Sequence, residues 1–258
     1  MKLYQVDAFA ENVFSGNPAA VVPLQEWLPD AVMQKIAMEN NLSETAFFIP
    51  EGDDFYIRWF TPSTEVNLCG HATLASAHVL FRHMNYKRET ISFHSRSGLL
   101  TVNRKENMII LDFPASGFTE AEFPDHAERI LGIVPEKCII GSEDLMMVFS
   151  NEEDLQILKP DYSAIARLNY RGLIATAPSA EFDFVSRFFA PAVGVNEDPV
   201  TGSAHTVLIP YWAERLHKTV MIAKQVSERG GIIHCRHRGE RLDIGGYAVT
   251  YLIGDIKV

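Results

Sequence analysis

The chain has 258 residues, 47% of them hydrophobic, and a formal charge of 23 − 33 = −10. That much apolar material fills a sizeable core, and the length suits one large domain or two medium ones. The acidic balance, with no basic cluster beyond Arg236-His237-Arg238, disfavours nucleic acid and acidic membrane surfaces, which need concentrated positive charge.

The first residues, Met1 to Asp7, alternate like a strand and lack the apolar stretch of a signal peptide, and no apolar run is long enough to span a membrane. Cys69, Cys138 and Cys235 are scattered without CxxC spacing, so the expectation is reduced thiols in a cytoplasmic protein. Strands are predicted at 3–9 and 19–22 around the turn Ser15-Gly16-Asn17-Pro18. Pro29 suits a helix start, and Val32, Met33, Ile36 and Ala37 carry helical spacing to about Asn40. Strands follow at 43–49 and 55–60. A helix from Gly70 to about Met84 has apolar residues pointing in nearly every direction, which predicts burial on all sides and a sheet wrapped around it. Strands at 91–93, 99–102 and 108–113 complete that half, and Pro114-Ala115-Ser116-Gly117 marks a boundary, giving lobes 1–116 and 117–258. In the second half a helix from Gly202 meets Pro210, expected to break or kink it. The last strands, 247–253 and 256–258, are placed to pair back with the first half.

The halves repeat one another. Pro29-Asp30, Leu42-Ser43-Glu44-Thr45-Ala46, Arg58-Trp59-Phe60-Thr61-Pro62 and Gly70-His71-Ala72 correspond to Pro160-Asp161, Leu173-Ile174-Ala175-Thr176-Ala177, Arg187-Phe188-Phe189-Ala190-Pro191 and Gly202-Ser203-Ala204. The offsets are 131, 131, 129 and 132 residues. One duplication of half a chain means two similar lobes rather than a solenoid. The copies differ in their ionisable groups: Glu44 aligns with Ala175, and Val66-Asn67-Leu68-Cys69 aligns with the longer stretch from Val195 to Thr201. A shared site to which each lobe contributes a different part is the expectation.

Glu44 stands on the strand face of Leu42, Ala46 and Phe48, an apolar row where desolvation suits a carboxyl to general acid/base work. The plainer alternative is an edge-strand glutamate in water. Gly70 and Gly202 each open a predicted helix, where free N–H groups attract anions; singly, each is an ordinary glycine cap. Together they suit a carboxylate, since no Walker-type lysine follows. His71 at the first helix start and Asp198 ahead of the second form a candidate orienting pair for proton transfer, although both also fit plain capping roles. Cys69, at a helix N-terminus, is either a reactive thiolate or a buried structural residue. His234-Cys235-Arg236-His237 looks superficially like a metal site, but strand alternation puts His234 and Cys235 on opposite faces, and no metal is expected.

Asp7-Ala8-Phe9, Gly16-Asn17-Pro18-Ala19, Leu42-Ser43-Glu44-Thr45-Ala46-Phe47, Leu68-Cys69-Gly70-His71-Ala72-Thr73 and Glu197-Asp198-Pro199-Val200-Thr201-Gly202-Ser203-Ala204-His205 together resemble the PhzF-like isomerases of phenazine biosynthesis. The resemblance covers essentially the whole chain. It implies an α+β, diaminopimelate epimerase-like fold: two pseudo-symmetric lobes, each a mixed sheet around a central helix. It implies Glu44 as catalytic acid/base, His71 and Asp198 beside it, and Asn17, Gly70, Gly202 and Ser203 at the substrate. Epimerases of this fold use one cysteine from each lobe; here Cys69 keeps the first position and Thr201 holds the second, so a two-thiol mechanism is excluded. A small carboxylate substrate, no cofactor and a homodimer complete the expectation. The rivals are a one-thiol racemase using Cys69 with Glu44, and a carboxylate-binding protein without turnover.

Overall fold

The computed structural model describes all residues from Met1 to Val258. It divides into two compact units, Met1–Phe113 with Ile244–Val258, and Pro114–Asp243. The first unit contains β1 (Lys2–Ala8), β2 (Asn17–Pro23), α1 (Asp30–Asn40), β3 (Glu44–Glu51), β4 (Asp54–Phe60), β5 (Glu65–Val66), α2 (Gly70–His83), β6 (Thr90–Ser95), β7 (Gly98–Lys105) and β8 (Met108–Pro114). The second contains β9 (Thr119–Ala121), α3 (Ala127–Leu131), β10 (Lys137–Ile140), β11 (Asp144–Val148), α4 (Glu152–Ile157), α5 (Tyr162–Ile165), β12 (Gly172–Pro178), β13 (Phe184–Phe189), α6 (His205–Leu216), β14 (Val220–Gln225) and β15 (Gly231–His237). β16 (Arg241–Gly246) leads back to the first unit, where β17 (Ala248–Asp255) runs antiparallel along β1 from Ala8↔Ala248 to Lys2↔Asp255. Residues 256–258 form no strand.

Both units use the same order of pairings. β1–β2 is antiparallel, β2–β3 parallel, β3–β4 antiparallel, β4–β6 parallel and β6–β7 antiparallel. β10–β11, β11–β12, β12–β13, β13–β14 and β14–β15 repeat that alternation. In the first unit α2 packs on β1, β2, β3 and β17 and is buried on every side from His71 to Phe81. The opposite face of the sheet carries a separate apolar cluster, with Met33 and Ile36 of α1 against Val22, Phe47 and Phe60. Leu42 belongs to this cluster, so it does not share the Glu44 face: β3 begins only at Glu44, and the two-residue period does not extend back through Ser43.

The second central helix departs from expectation twice. α6 begins at His205, not Gly202. Gly202, Ser203 and Ala204 form a tight turn in which His205 N–H donates to Gly202 O and Thr206 N–H to Ser203 O, both at 3.1 Å, the i→i+3 pattern that often precedes a helix. Pro210 does not end the helix, which runs through it to Leu216. The carbonyl that proline deprives of its usual donor is that of Thr206, and Ser116 N–H supplies the missing bond at 3.0 Å.

Candidate active site

The strand starts of β2 and β3 lie level, with Ala19 opposite Glu44 in the parallel register, and the N-terminal turn of α2 reaches both. Gly16 lets the chain pass close to the end of β1 as it enters β2: its φ is +67°, and a Cβ there would sit 2.2 Å from the Ala8 carbonyl oxygen. The result is a cluster centred on buried His71. Its Nε2 lies 3.1 Å from Glu44 Oε2. Its Nδ1 lies 3.2 Å from Asn17 Nδ2 and 3.5 Å from Cys69 Sγ. Gly70 opens α2 beside it, after Cys69 in the cap position.

Burial opposes an imidazolium at His71, but the Cys69 sulfur and the Glu44 carboxylate, by charge and by hydrogen bond, outweigh it and hold the ring well above the usual histidine range. Burial pushes the Cys69 thiol up to about 11, despite its contact with His71 and an Ala72 N–H. At neutral pH the thiol is therefore uncharged, and Glu44 is the partner that favours the charged ring. The helix N-terminus does not deliver the reactive thiolate that its position suggested, because desolvation is the larger effect.

In the second unit Asp198 accepts a hydrogen bond from Thr201 Oγ1. Fully buried Gln225 clamps the same loop: its Oε1 accepts from Thr201 N–H at 2.8 Å, and its Nε2 donates to Asp198 O at 2.6 Å. Ser203 Oγ accepts from Arg171 Nη1 at 3.0 Å. Arg171 is gripped by the buried Asp144 carboxylate through Nε at 2.9 Å and through Nη2, with its guanidinium 5.4 Å from the Phe188 ring centre. Burial pushes the Asp144 carboxyl up against the pull of Arg171, but a guanidinium does not surrender its proton, so the pair stays ionic.

Glu44, His71, Cys69, Asn17 and Gly70 are thus brought together in one unit, and Asp198, Thr201, Gly202 and Ser203 in the other. Arg171, Asp144 and Gln225 escaped sequence reading because they lie outside the repeated motifs; the one available signal was an arginine one glycine ahead of the run Leu173–Ala177. The strand register also corrects the repeat. Arg58 pairs with Phe47, while Arg187 pairs with Ala175, so the structural counterpart of Glu44 is Gly172, not Ala175. Ala175 points into the outer apolar cluster. A Cβ on Gly172 would lie 2.4 Å from Phe188 Cζ, so the second unit has no room for a side chain where the first carries Glu44. At β15, Cys235 is buried with its sulfur 3.6 Å from Ile233 O, while half-buried His234 lies on the other face, and no metal-ligand cluster forms there.

A family model described as phenazine biosynthesis-like protein matches residues 6–254. A Pseudomonas aeruginosa protein named as an uncharacterized isomerase is 52% identical over 258 residues, covering 100% of this chain and 99% of its own length. The crystal structure of a phenazine biosynthesis PhzF family protein from Enterococcus faecalis superposes with a TM-score of 0.97 at 48% identity, covering 100% of this chain and 99% of that one. A probable proline racemase from Agrobacterium radiobacter shares the fold, with a TM-score of 0.66 at 9% identity over 100% of this chain and 93% of that one. The α+β architecture is therefore shared with that probable racemase, and the end-to-end match makes this chain a member of the phenazine biosynthesis-like protein family.

Proposed function

We propose that the chain is a cofactor-independent isomerase that moves a proton between carbons of a small carboxylic acid, with Glu44 as the acid/base. The observation that carries this reading is the Glu44–His71 contact at 3.1 Å, a carboxylate and an imidazole largely out of water and close enough to exchange a proton. Glu44 takes the proton from one substrate carbon and returns it to another. His71, held toward its charged form, offsets the negative charge that develops on the substrate. The N–H groups in the first turn of α2, from Gly70 onward, suit a substrate carboxylate. In the second unit, Gly202 and Ser203 are the proposed carboxylate donors and Asp198 the orienting acid. That relatives carry the name isomerase agrees with this assignment, and a homodimer follows from the family resemblance.

The racemase reading keeps one supporting observation, the Cys69–His71 contact at 3.5 Å. It is disfavoured because a thiol held near 11 supplies little thiolate at neutral pH. The test uses solvent deuterium. Unsaturated cyclic carboxylic acids of the dihydro-hydroxyanthranilate type are incubated with the protein in D2O, and carbon-bound deuterium is followed by NMR. Enzyme-dependent incorporation that falls about 100-fold or more in folded Glu44→Gln, with binding retained, is the expected result. Binding without incorporation supports a non-catalytic binding protein, and near wild-type exchange by Glu44→Gln removes Glu44 from its role.

A further inference from the structure

We propose that Gln225 is a positioning residue for Asp198: it turns the Thr201 hydroxyl so that its proton rests on the Asp198 carboxylate. The inference deepens the proposed function and rests on it for the role of Asp198 as orienting acid. The amide of Gln225 has one workable orientation. Thr201 N–H can only donate and the Asp198 carbonyl can only accept, so the amide atom 2.8 Å from the first is Oε1 and the atom 2.6 Å from the second is Nε2. The remaining Nε2 proton meets Thr201 Oγ1 at 3.2 Å. A hydroxyl that accepts there keeps one proton to give, and Asp198 Oδ2 is its acceptor. Gln225 thus sets the direction of the whole chain of bonds, and it is fully buried, so water does not compete for its amide.

This role is separable from holding the loop together. Gln225 ends β14, opposite Ser186 of β13 and Gly231 of β15, and that register fixes where its amide reaches. The loop backbone has other anchors: Asp198 N–H donates to Phe188 O at 3.0 Å, Ser227 Oγ to Pro199 O at 2.7 Å and His205 Nδ1 to Thr201 O at 2.8 Å. A changed donor pattern at Gln225 therefore acts first on the Thr201 hydroxyl. A hydrogen bond to an ionised carboxylate favours the ion, and one such bond moves a titration midpoint by about 1–2 pH units. The charged neighbours stay constant: Arg171, which also feels the Asp198 charge, and Glu197, forked onto Arg187.

Carboxyl carbon NMR reads the Asp198 titration midpoint without any substrate, with Asp198→Asn assigning the signal. In Gln225→Glu an acceptor replaces the Nε2 donor, so the Thr201 hydroxyl turns toward it and the Asp198 midpoint should rise by about 1–2 pH units. Thr201→Val should give a rise of similar size, whereas Thr201→Ser, which keeps the hydroxyl, should stay within about 0.3 unit of wild type. The double variant Gln225→Glu/Thr201→Val should rise no further than Thr201→Val alone, because Gln225 acts through the hydroxyl. Gln225→Met, read with and without Thr201→Val, serves if the glutamate variant does not fold, with circular dichroism as the check. An unshifted midpoint in folded Gln225→Glu, or a shift that adds in full to that of Thr201→Val, overturns the proposal; full additivity is the mark of added charge or of a purely structural clamp. Only a titration is read, so failure here leaves the Glu44 assignment standing, and failure of turnover leaves the Gln225–Thr201–Asp198 relay standing.

Discussion

At the start of α2, Thr73 Oγ1 donates to the Cys69 carbonyl at 2.6 Å; at the start of α6, His205 Nδ1 donates to the Thr201 carbonyl at 2.8 Å. The two units use the same side-chain-to-backbone bond at corresponding places, with different residues. They also share a forked ion pair: Arg58 binds Glu65 through Nε and Nη2 at 2.7 and 2.8 Å, and Arg187 binds Glu197 the same way at 2.7 Å each, each guanidinium lying over a phenylalanine ring. What differs is the group held between these anchors. The first unit carries a titratable set, Glu44, Cys69 and His71. The second fixes its loop with a permanent cation and an amide, Arg171 and Gln225, and fills the Glu44 position with the packed glycine Gly172. Duplicated scaffold and divided chemistry go together: the architectural bonds are kept, and the proton-handling groups sit in one copy.

The largest expected effect comes from breaking a shared anchor. Glu197→Ala leaves Arg187 largely buried with only the Leu155 carbonyl as partner, and should lower unfolding free energy by about 3 kcal/mol or more in urea titrations. Glu65→Ala should lower it less, because Arg58 keeps Asp30 at 2.9 Å. Equal losses would show that the two forks are equivalent after all.

Acid separates the histidines of the two helix starts. Burial, partly offset by the bond to Thr201, pushes His205 down to about 4 from a usual 6.5. Its folded pKa thus lies below its unfolded one, so its contribution to stability is complete above pH 6.5 and is lost as pH falls toward 4. The size is roughly 3 kcal/mol. His71 has the opposite sign: its raised pKa gives stability present below 6.5 and lost as pH rises through the folded value. The urea midpoint should therefore fall between pH 6.5 and 4.5, and replacing His205 with threonine, the residue in the α2 position, should flatten that fall. An unchanged slope would remove His205 as the cause.

A smaller loss tests the correspondence of Glu44 with Gly172. Gly172→Ala forces a methyl toward the Phe188 ring, 2.4 Å away at its nearest atom, and should cost about 1–3 kcal/mol. A neutral result would mean that the second unit has room for a side chain there. The smallest effect is expected at Cys69→Ala, whose turnover should stay within about 10-fold of wild type, since an uncharged thiol contributes little to proton transfer.

Much of this was legible in the sequence because period and punctuation act locally. The all-round apolar helix from Gly70 and the strand carrying Glu44 follow from patterns within a few residues. What escaped depends on partners distant in the chain. Pro210 is tolerated because Ser116, 94 residues earlier, satisfies the Thr206 carbonyl. The Gly202–Ala204 stretch reads as a helix start but forms a turn closed by its own carbonyls. Ser203 is held by Arg171, which no motif near Ser203 announces. The repeat aligned Glu44 with Ala175 because sequence offsets carry no record of strand facing, which only pairing with Arg58 and Arg187 supplies.

The central claim is that Glu44, rather than Cys69, governs the proton on His71. NMR titration of the His71 ring in wild type, Glu44→Gln and Cys69→Ala tests it without any substrate. The account predicts a wild-type ring that stays protonated well above pH 6.5, a clearly lower value in Glu44→Gln, where only the contact with Cys69 still opposes burial, and a value still high in Cys69→Ala. A ring that remains high in Glu44→Gln and falls in Cys69→Ala would contradict it and assign the coupling to the thiol.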